Sequence, residues 1–287
     1  MPTTYAHWRF GDKCIETLPE ELQTIINDNR DIFNFGVHGP DIFFYYKCLK
    51  HNAVNEFGEE LHEIPFKKTV KLFKERFENV DDGYAALSYI LGFTCHFTLD
   101  SYCHGYIDRK AEVSPTTHGK IESQYDRHLL IKDGYDPVKK KVTFSLKPNR
   151  EIAETISQLF TEWDKKTIYK CIKDQRFYLN LLKDNSDFKR NFLIKAMDAV
   201  HAESFKDLLI TKENDPIVAD SMLRLDKYFD KALEHYPLLA LSLYDYLFNN
   251  KRLDPYFHNH FCPKSDYKTI PILSLEMERN YQVGMQD

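Results

Sequence analysis

Glycine and proline are scarce, ten and twelve residues in a chain of 287, too few for a collagen-like or linker-dominated polypeptide. Long hydrophobic runs are missing as well. The most apolar stretches, Tyr84–Leu99 and Tyr236–Phe248, are interrupted by Thr, His, Ser or Asp and fall short of the roughly 18 apolar residues of a membrane span. The opening segment MPTTYAHWRFGDKC lacks a basic flank followed by an apolar run, so no secretory signal is read and a cytoplasmic location is expected. The cysteines (Cys14, Cys48, Cys95, Cys103, Cys171 and Cys262) form no CxxC pair and are expected to be reduced. Concentrated basic charge is also lacking. The net charge is −5, and the one tight cluster, Lys139–Lys141, reads as a solvated turn, which disfavours stable nucleic-acid binding. What remains, at 43% hydrophobic and 29% charged, is a chain able to bury one substantial core, read as a single domain over residues 1–287.

Apolar residues recur at helical spacing nearly throughout, and period-two alternation is confined to Val142–Phe144–Leu146. The fold class is therefore all-α, a multi-helix bundle with at most one short β-hairpin, placed in 132–147. Helices are expected near 17–27, opened by Thr17 with Pro19, Glu20 and Glu21, at Asp31–Phe35, ended by Gly36, and at Asp41–Leu49 after the Gly39–Pro40 break. This last one is aromatic from Phe43 to Tyr46, a run read chiefly as core packing. Residues 51–65 read as a polar connection. Further helices follow at Lys67–Asn79, Tyr84–His104 and Thr116–Ile131, and the second of these, apolar on nearly all sides, has the pattern of a central helix. A helical second half over 148–252 supplies Arg150–Trp163, Ile168–Leu182, Phe188–Leu209, Ile217–Glu234 and Leu238–Asn249. Residues 253–287 read as an irregular tail packed over the body.

What the sequence has in plenty is histidine, twelve residues unevenly spread. His96, Asp100 and His104 follow at i, i+4 and i+8 on the most apolar helix, so all three lie along one face. Three ionisable groups in register on a buried face are costly unless a cation satisfies them. His118 and Glu122 repeat the i, i+4 pattern at the start of the next helix, a spacing at which an imidazole and a carboxylate can chelate one ion. His96 and His104 are separated by about 12 Å of helical rise, too far to share one ion at bonds of about 2.1 Å, while Asp100 lies roughly 6 Å from each. The ligand-bearing part, residues 1–131, is thus expected to hold more than one metal, with the Asp100 carboxylate as the bridge. Upstream, His7 in AHWRFG, Asp41 in GPDIFFYY and His62 in FGEELHE are further candidate ligands.

The ordered set His7, Asp41, His62, His96-x3-Asp100-x3-His104 and His118-x3-Glu122 resembles the zinc-dependent phospholipase C family, which shares its architecture with the S1/P1 nucleases. The resemblance spans residues 7–126 and implies an all-α bundle with a three-zinc site that cleaves phosphodiesters. It implies that Asp41, His62, His96 and Asp100 hold one zinc, that His104, His118 and Glu122 hold a second, and that His7 and the other Asp100 oxygen contribute to a third. Secreted members complete the third site with the amine and carbonyl of a mature N-terminal Trp, whereas this chain begins Met1–Pro2. Asp100 and His104 stand two residues closer together than in those enzymes, which keeps both on one straight helix. The β-rich membrane-binding domain of the toxin members is not expected here. Two or three Zn2+ ions are the implied cofactors, and iron or manganese also suits histidine with carboxylate.

The function read from these residues is a metal-dependent, phospholipase C-like hydrolase cleaving a phosphodiester or related phosphate ester, including phospholipid or its head group. Asp41, a ligand by resemblance, is the expected base or water orienter. Two alternatives stay open: a non-catalytic protein whose ions staple the bundle, and a single-strand nuclease or phosphatase on the same fold. A di-iron carboxylate bundle needs paired Glu-x-x-His motifs, and only Glu59-x-x-His62 occurs. His258 and His260 read as surface residues, His38 as a helix-entry residue, and Asp126 as a carboxylate that orients a ligand imidazole.

Overall fold

The structure, a computed structural model, describes residues 4–183, 187–199, 206, 207, 209–262 and 267–284. It is helical, with no strand among the described residues. At its centre runs α6 (Gly83–Val113), opened by Asp82, whose carboxylate accepts from the Ala85 amide. Its side chains are buried on every face along Ala86–Asp100, as the all-round apolar pattern requires, and it continues to Val113, beyond the expected His104 end. It packs chiefly against the short α3 (Arg30–Gly36) and the long α11 (Ala219–Phe248). The α3 contact is backbone on backbone: a Cβ on Gly36 would fall 2.3 Å from the Tyr89 carbonyl oxygen, and one on Gly92 2.6 Å from that of Phe33. Only glycine fits at either position.

The hairpin allowed for at 132–147 is not formed. Residues 133–149 make turns and irregular chain, with Leu146 buried but Phe144 exposed, so the alternation marked no sheet face. A helix unforeseen in the sequence, α1 (Thr4–Glu16), packs on α6 and on α7 (His118–Lys132). Thr17 does not cap the following helix: its hydroxyl donates to the Cys14 carbonyl, and α2 (Glu20–Asp28) begins after Pro19 with no side-chain cap. The aromatic segment is a short 3-10 helix, Gly39–Tyr45, and stops short of Leu49. Residues 51–65 are no mere connection. They contain α4 (Ala53–Glu63), capped by Asn52, which accepts from the Val54 and Asn55 amides, and buried along Val54, Gly58 and Leu61 at helical spacing.

Next come α5 (Phe66–Phe77), α8 (Arg150–Leu159), α9 (Lys165–Leu182) and α10 (Asp187–Ala199). Positions 200–205 and 208 of the helix expected at Phe188–Leu209 lie outside the described residues. The two helices expected on either side of Pro237 are one, α11. A proline removes one ladder hydrogen bond, but the buried stripe Leu225, Phe229, Ala232, Tyr236, Leu239 and Leu243 runs through it unbroken. The tail carries the short helix α12 (Leu275–Asn280) and is held on the body as expected. Arg224 and Glu278 pair through two hydrogen bonds of 2.7 and 3.0 Å, both side chains fully buried, while Phe257 and Phe261 insert into the core. All six cysteines are free. Among the described residues no helix is long and apolar enough to cross a membrane.

Candidate metal centre

Five elements deliver the eight candidate ligands to one place. Helix α1 supplies His7, the 3-10 helix Asp41, α4 His62, α6 the row His96, Asp100 and His104, and α7 His118 and Glu122. Their donor atoms gather into three sets, each with all atoms within 4.8 Å of one another: His7, His96 and Asp100; Asp41, His62 and His96; His104, His118 and Glu122. Asp100 stands between them. Its Oδ1 is 3.2 Å from His7 Nε2 and 3.5 Å from His104 Nε2, and its Oδ2 is 3.0 Å from His96 Nε2. Asp41 reaches His62 Nε2 at 3.2 Å and His96 Nε2 at 3.6 Å through separate oxygens. Glu122 Oε1 lies 3.4 Å from His104 Nε2 and 3.2 Å from His118 Nε2. The 3-10 turn can press this close because Gly39, at φ +48°, has no side chain: a Cβ there would sit 2.5 Å from the His96 ring.

Every imidazole turns Nε2 inward, and what holds the other nitrogen decides the chemistry. His62 Nδ1 donates to the Gly58 carbonyl at 2.7 Å and His96 Nδ1 to the Val37 carbonyl at 3.2 Å. A carbonyl has no proton to give, so in these two neutral rings the proton is on Nδ1 and a lone pair on Nε2 faces the centre. His118 Nδ1 lies 2.7 Å from Asp108 Oδ1, and His104 Nδ1 lies 2.9 Å from Cys262 Sγ. The facing carboxylate oxygens are acceptors too. His96 Nε2, Asp41 Oδ2 and Glu122 Oε2 are buried with no hydrogen-bond partner, and His96 Nε2 faces Asp100 Oδ2 at 3.0 Å and Asp41 Oδ2 at 3.6 Å. Converging lone pairs with no proton between them repel one another unless a cation takes them up. The residues present therefore fit a metal cluster.

Charge points the same way. With neutral rings, the three carboxylates of Asp41, Asp100 and Glu122 leave a buried charge of −3. Burial pushes each carboxyl up, yet the imidazoles outweigh it. His96 and His62 bring Asp41 down, His104 and His96 hold Asp100 well below the carboxylate range, and His118 lowers Glu122. Burial depresses the imidazoles, but Asp100 turns His7 and His104 upward and Glu122 does so for His118, while at His96 burial prevails.

The remaining sequence candidates fall elsewhere. Asp126 does not orient a ligand imidazole. Its two oxygens accept from the Tyr5 and Ala6 amides at 3.0 and 2.7 Å, capping α1 and so setting the position of His7, and burial lifts its carboxyl to about 7. The carboxylate that orients a ligand ring is Asp108, missed in the sequence although it continues the His96, Asp100, His104 run by four more residues. His38 is fully buried beside the centre with neither ring nitrogen bonded, and burial lowers it to about 3. His258 and Glu59 are exposed, and His260 bonds the Glu63 carbonyl. Phe43 belongs to the core with Phe57 and Phe160, whereas Phe44 stacks on the His62 ring at 5.3 Å. A small cavity opens among His7, Asp100, His104 and Glu122. A larger one shares Glu122 and is lined by Lys140, Lys141 and Lys183 with apolar Val142, Leu179 and Leu182. The basic turn is thus not wholly solvated: Lys139 is exposed, but Lys140 lies over the Tyr135 and Phe144 rings. The Met1–Pro2 start lies outside the described residues.

A family model described as zinc dependent phospholipase C matches residues 6–175, more than half of the chain and all eight candidate ligands. The chain belongs to the zinc-dependent phospholipase C family. No curated protein and no solved structure matches it. The family match ends within α9, so the second half of that helix, α11 and the tail lie beyond it.

Proposed function

We propose that the protein is a single-domain hydrolase of phosphodiesters or related phosphate esters, with Asp41, His62, His96 and Asp100 Oδ2 as one zinc set, His104, His118 and Glu122 as a second, and His7 with Asp100 Oδ1 toward a third. The observation that carries this reading is the convergence of acceptor atoms on the centre, with the lone pairs of His62 and His96 fixed inward by carbonyl-bound Nδ1 protons. When bound, zinc supplies positive charge to phosphate oxygens and makes a water acidic enough to yield hydroxide near neutral pH. Divalent ions would offset the −3 of the carboxylates and leave positive charge for phosphate oxygens.

Asp41 is the base in this scheme. Its carboxylate is held ionised by His96 and His62 against the pull of burial, the form that can accept a proton or orient the attacking water. His118 and His62 are the most exposed of the ligands, their side chains 30% and 13% exposed, against 5% or less for Asp41, Asp100 and Glu122. Substrate is expected to approach from there.

Elemental analysis of purified protein, joined to hydrolysis assays on phosphocholine esters, a chromogenic phosphodiester, phosphomonoesters and single-stranded nucleic acid, tests the proposal. At least two ions per chain and hydrolysis of a phosphodiester are expected. D41N should lower that rate by about 10²-fold or more while the circular dichroism of the helices stays unchanged. Two bound ions with no hydrolysis of any substrate would establish the stapling role instead.

A further inference from the structure

Beyond the family match, residues 256–262 reach back to the centre. They are strapped across α5 and α6: the Phe66 amide donates to the Asn259 carbonyl at 2.9 Å, Tyr256 and Ser101 share a hydrogen bond of 3.0 Å, and Phe257 stacks on Phe66 at 5.6 Å. Phe261, fully buried, lies against the rings of His62 and His96 at 5.2 and 5.6 Å. The next residue is Cys262, and its Sγ is 2.9 Å from His104 Nδ1.

Three of the other inward-facing rings show what this contact does, while His7 Nδ1 has no hydrogen-bond partner. His62 and His96 are held through Nδ1 by backbone carbonyls and His118 by Asp108. Cys262 takes the corresponding place on His104, although it lies 158 residues away in sequence. An acceptor on Nδ1 keeps the proton there, leaves the Nε2 lone pair free and fixes the plane of the ring. The sulfur is on the far edge of the imidazole from Nε2, so it holds the ring and does not reach the inner atoms. We infer that Cys262 is a positioning residue for the metal centre: the C-terminal strap, through its thiol, orients His104 for the ion it holds with His118 and Glu122. The inference rests on the metal-centre reading above.

The test compares wild type with C262A and C262S. Zinc affinity is measured by competition with a chromogenic chelator, and cobalt(II) is then loaded as a spectroscopic probe. Serine keeps an acceptor and alanine does not, so C262A should loosen one ion by about 10–100-fold while C262S stays within about threefold of wild type, and the remaining ions should be unaffected. Wild-type cobalt protein should show no thiolate charge-transfer band. If C262A does not fold, C262V, which fills the space without an acceptor, replaces it with the same expected loss. Unchanged zinc affinity in the variant lacking an acceptor, equal loss in C262S, or a thiolate–cobalt band would each overturn the inference and leave the metal centre standing. A wild-type protein that takes up no zinc would overturn both.

Discussion

Asp100 carries more of the centre than any other side chain, because its two oxygens face three imidazoles from three directions. Asp100→Asn should therefore weaken two ions together by removing one negative charge between them, whereas Glu122→Gln should affect the ion held with His104 and His118. Metal titration of the two variants checks this, and loss of the same single ion from both would contradict the assignment. At this scale much of the site was legible. The four-residue spacing of His96, Asp100 and His104 forces them onto one face, and burial makes ionisable groups there expensive without a cation. Less legible were the groups behind the ligands. Two are backbone carbonyls, which carry no sequence signature, and Cys262 comes from a distant strap. Asp108 alone was within reach, since the helix had only to be followed one turn beyond its expected end. Asp126 misled because a carboxylate four residues past a ligand serves equally well to cap another helix.

Helices α1 and α7 bring in His7 and His118 with Glu122, so their anchorage bears on the placement of these three ligands. Asp126 ties α7 to the start of α1. At the far end of α7, Asp226 of α11 accepts from His128 Nε2 and Lys132 Nζ, both at 3.0 Å. Burial alone raises the Asp226 carboxyl, and these donors more than reverse it. A carboxyl lowered by folding contributes stability above its unfolded value of about 4, and that stability is lost as pH falls through the lower folded value. D226N should thus cost about 1–2 kcal/mol at pH 7, and the gap to wild type should close as pH falls below about 4. Urea unfolding at both pH values decides it, and a gap that does not change with pH would remove the charge from the explanation. Among the elements, α6 was legible in kind because an apolar pattern on all sides admits little but a central helix. Helix α4 was hidden by its polar composition, since its buried stripe needs only Val54, Gly58 and Leu61. In α11 the reverse held: Pro237 suggested a break that a continuous buried stripe overrides.

For the whole molecule, the centre joins α1, the 3-10 helix, α4, α6 and α7, so bound ions act on the stability of the bundle and not only on chemistry. Ligand that binds the folded state alone stabilises it by about 4 kcal/mol when present at roughly 1,000 times its Kd, or roughly 10 °C in melting temperature for a domain of this size. Stripping by chelator should show a fall of that order, and the sign of its pH dependence should reverse. In the loaded protein, protons compete with metal for the imidazoles, so stability should fall as pH falls. In the stripped protein, His7, His104 and His118 sit above the ordinary imidazole value because carboxylates surround them, despite burial. A histidine raised by folding contributes stability that is complete below about pH 6.5 and disappears as pH rises through its folded value. The stripped protein should therefore become less stable from about pH 6.5 to 8. Below that window His96 and His38, both lowered by burial, pull the other way. Melting curves with and without zinc across pH 5.5–8 would settle the matter. Parallel slopes in the two states would mean that the carboxylates and imidazoles of the centre do not exchange metal for protons, and the cation cluster drawn from their geometry would have to be given up.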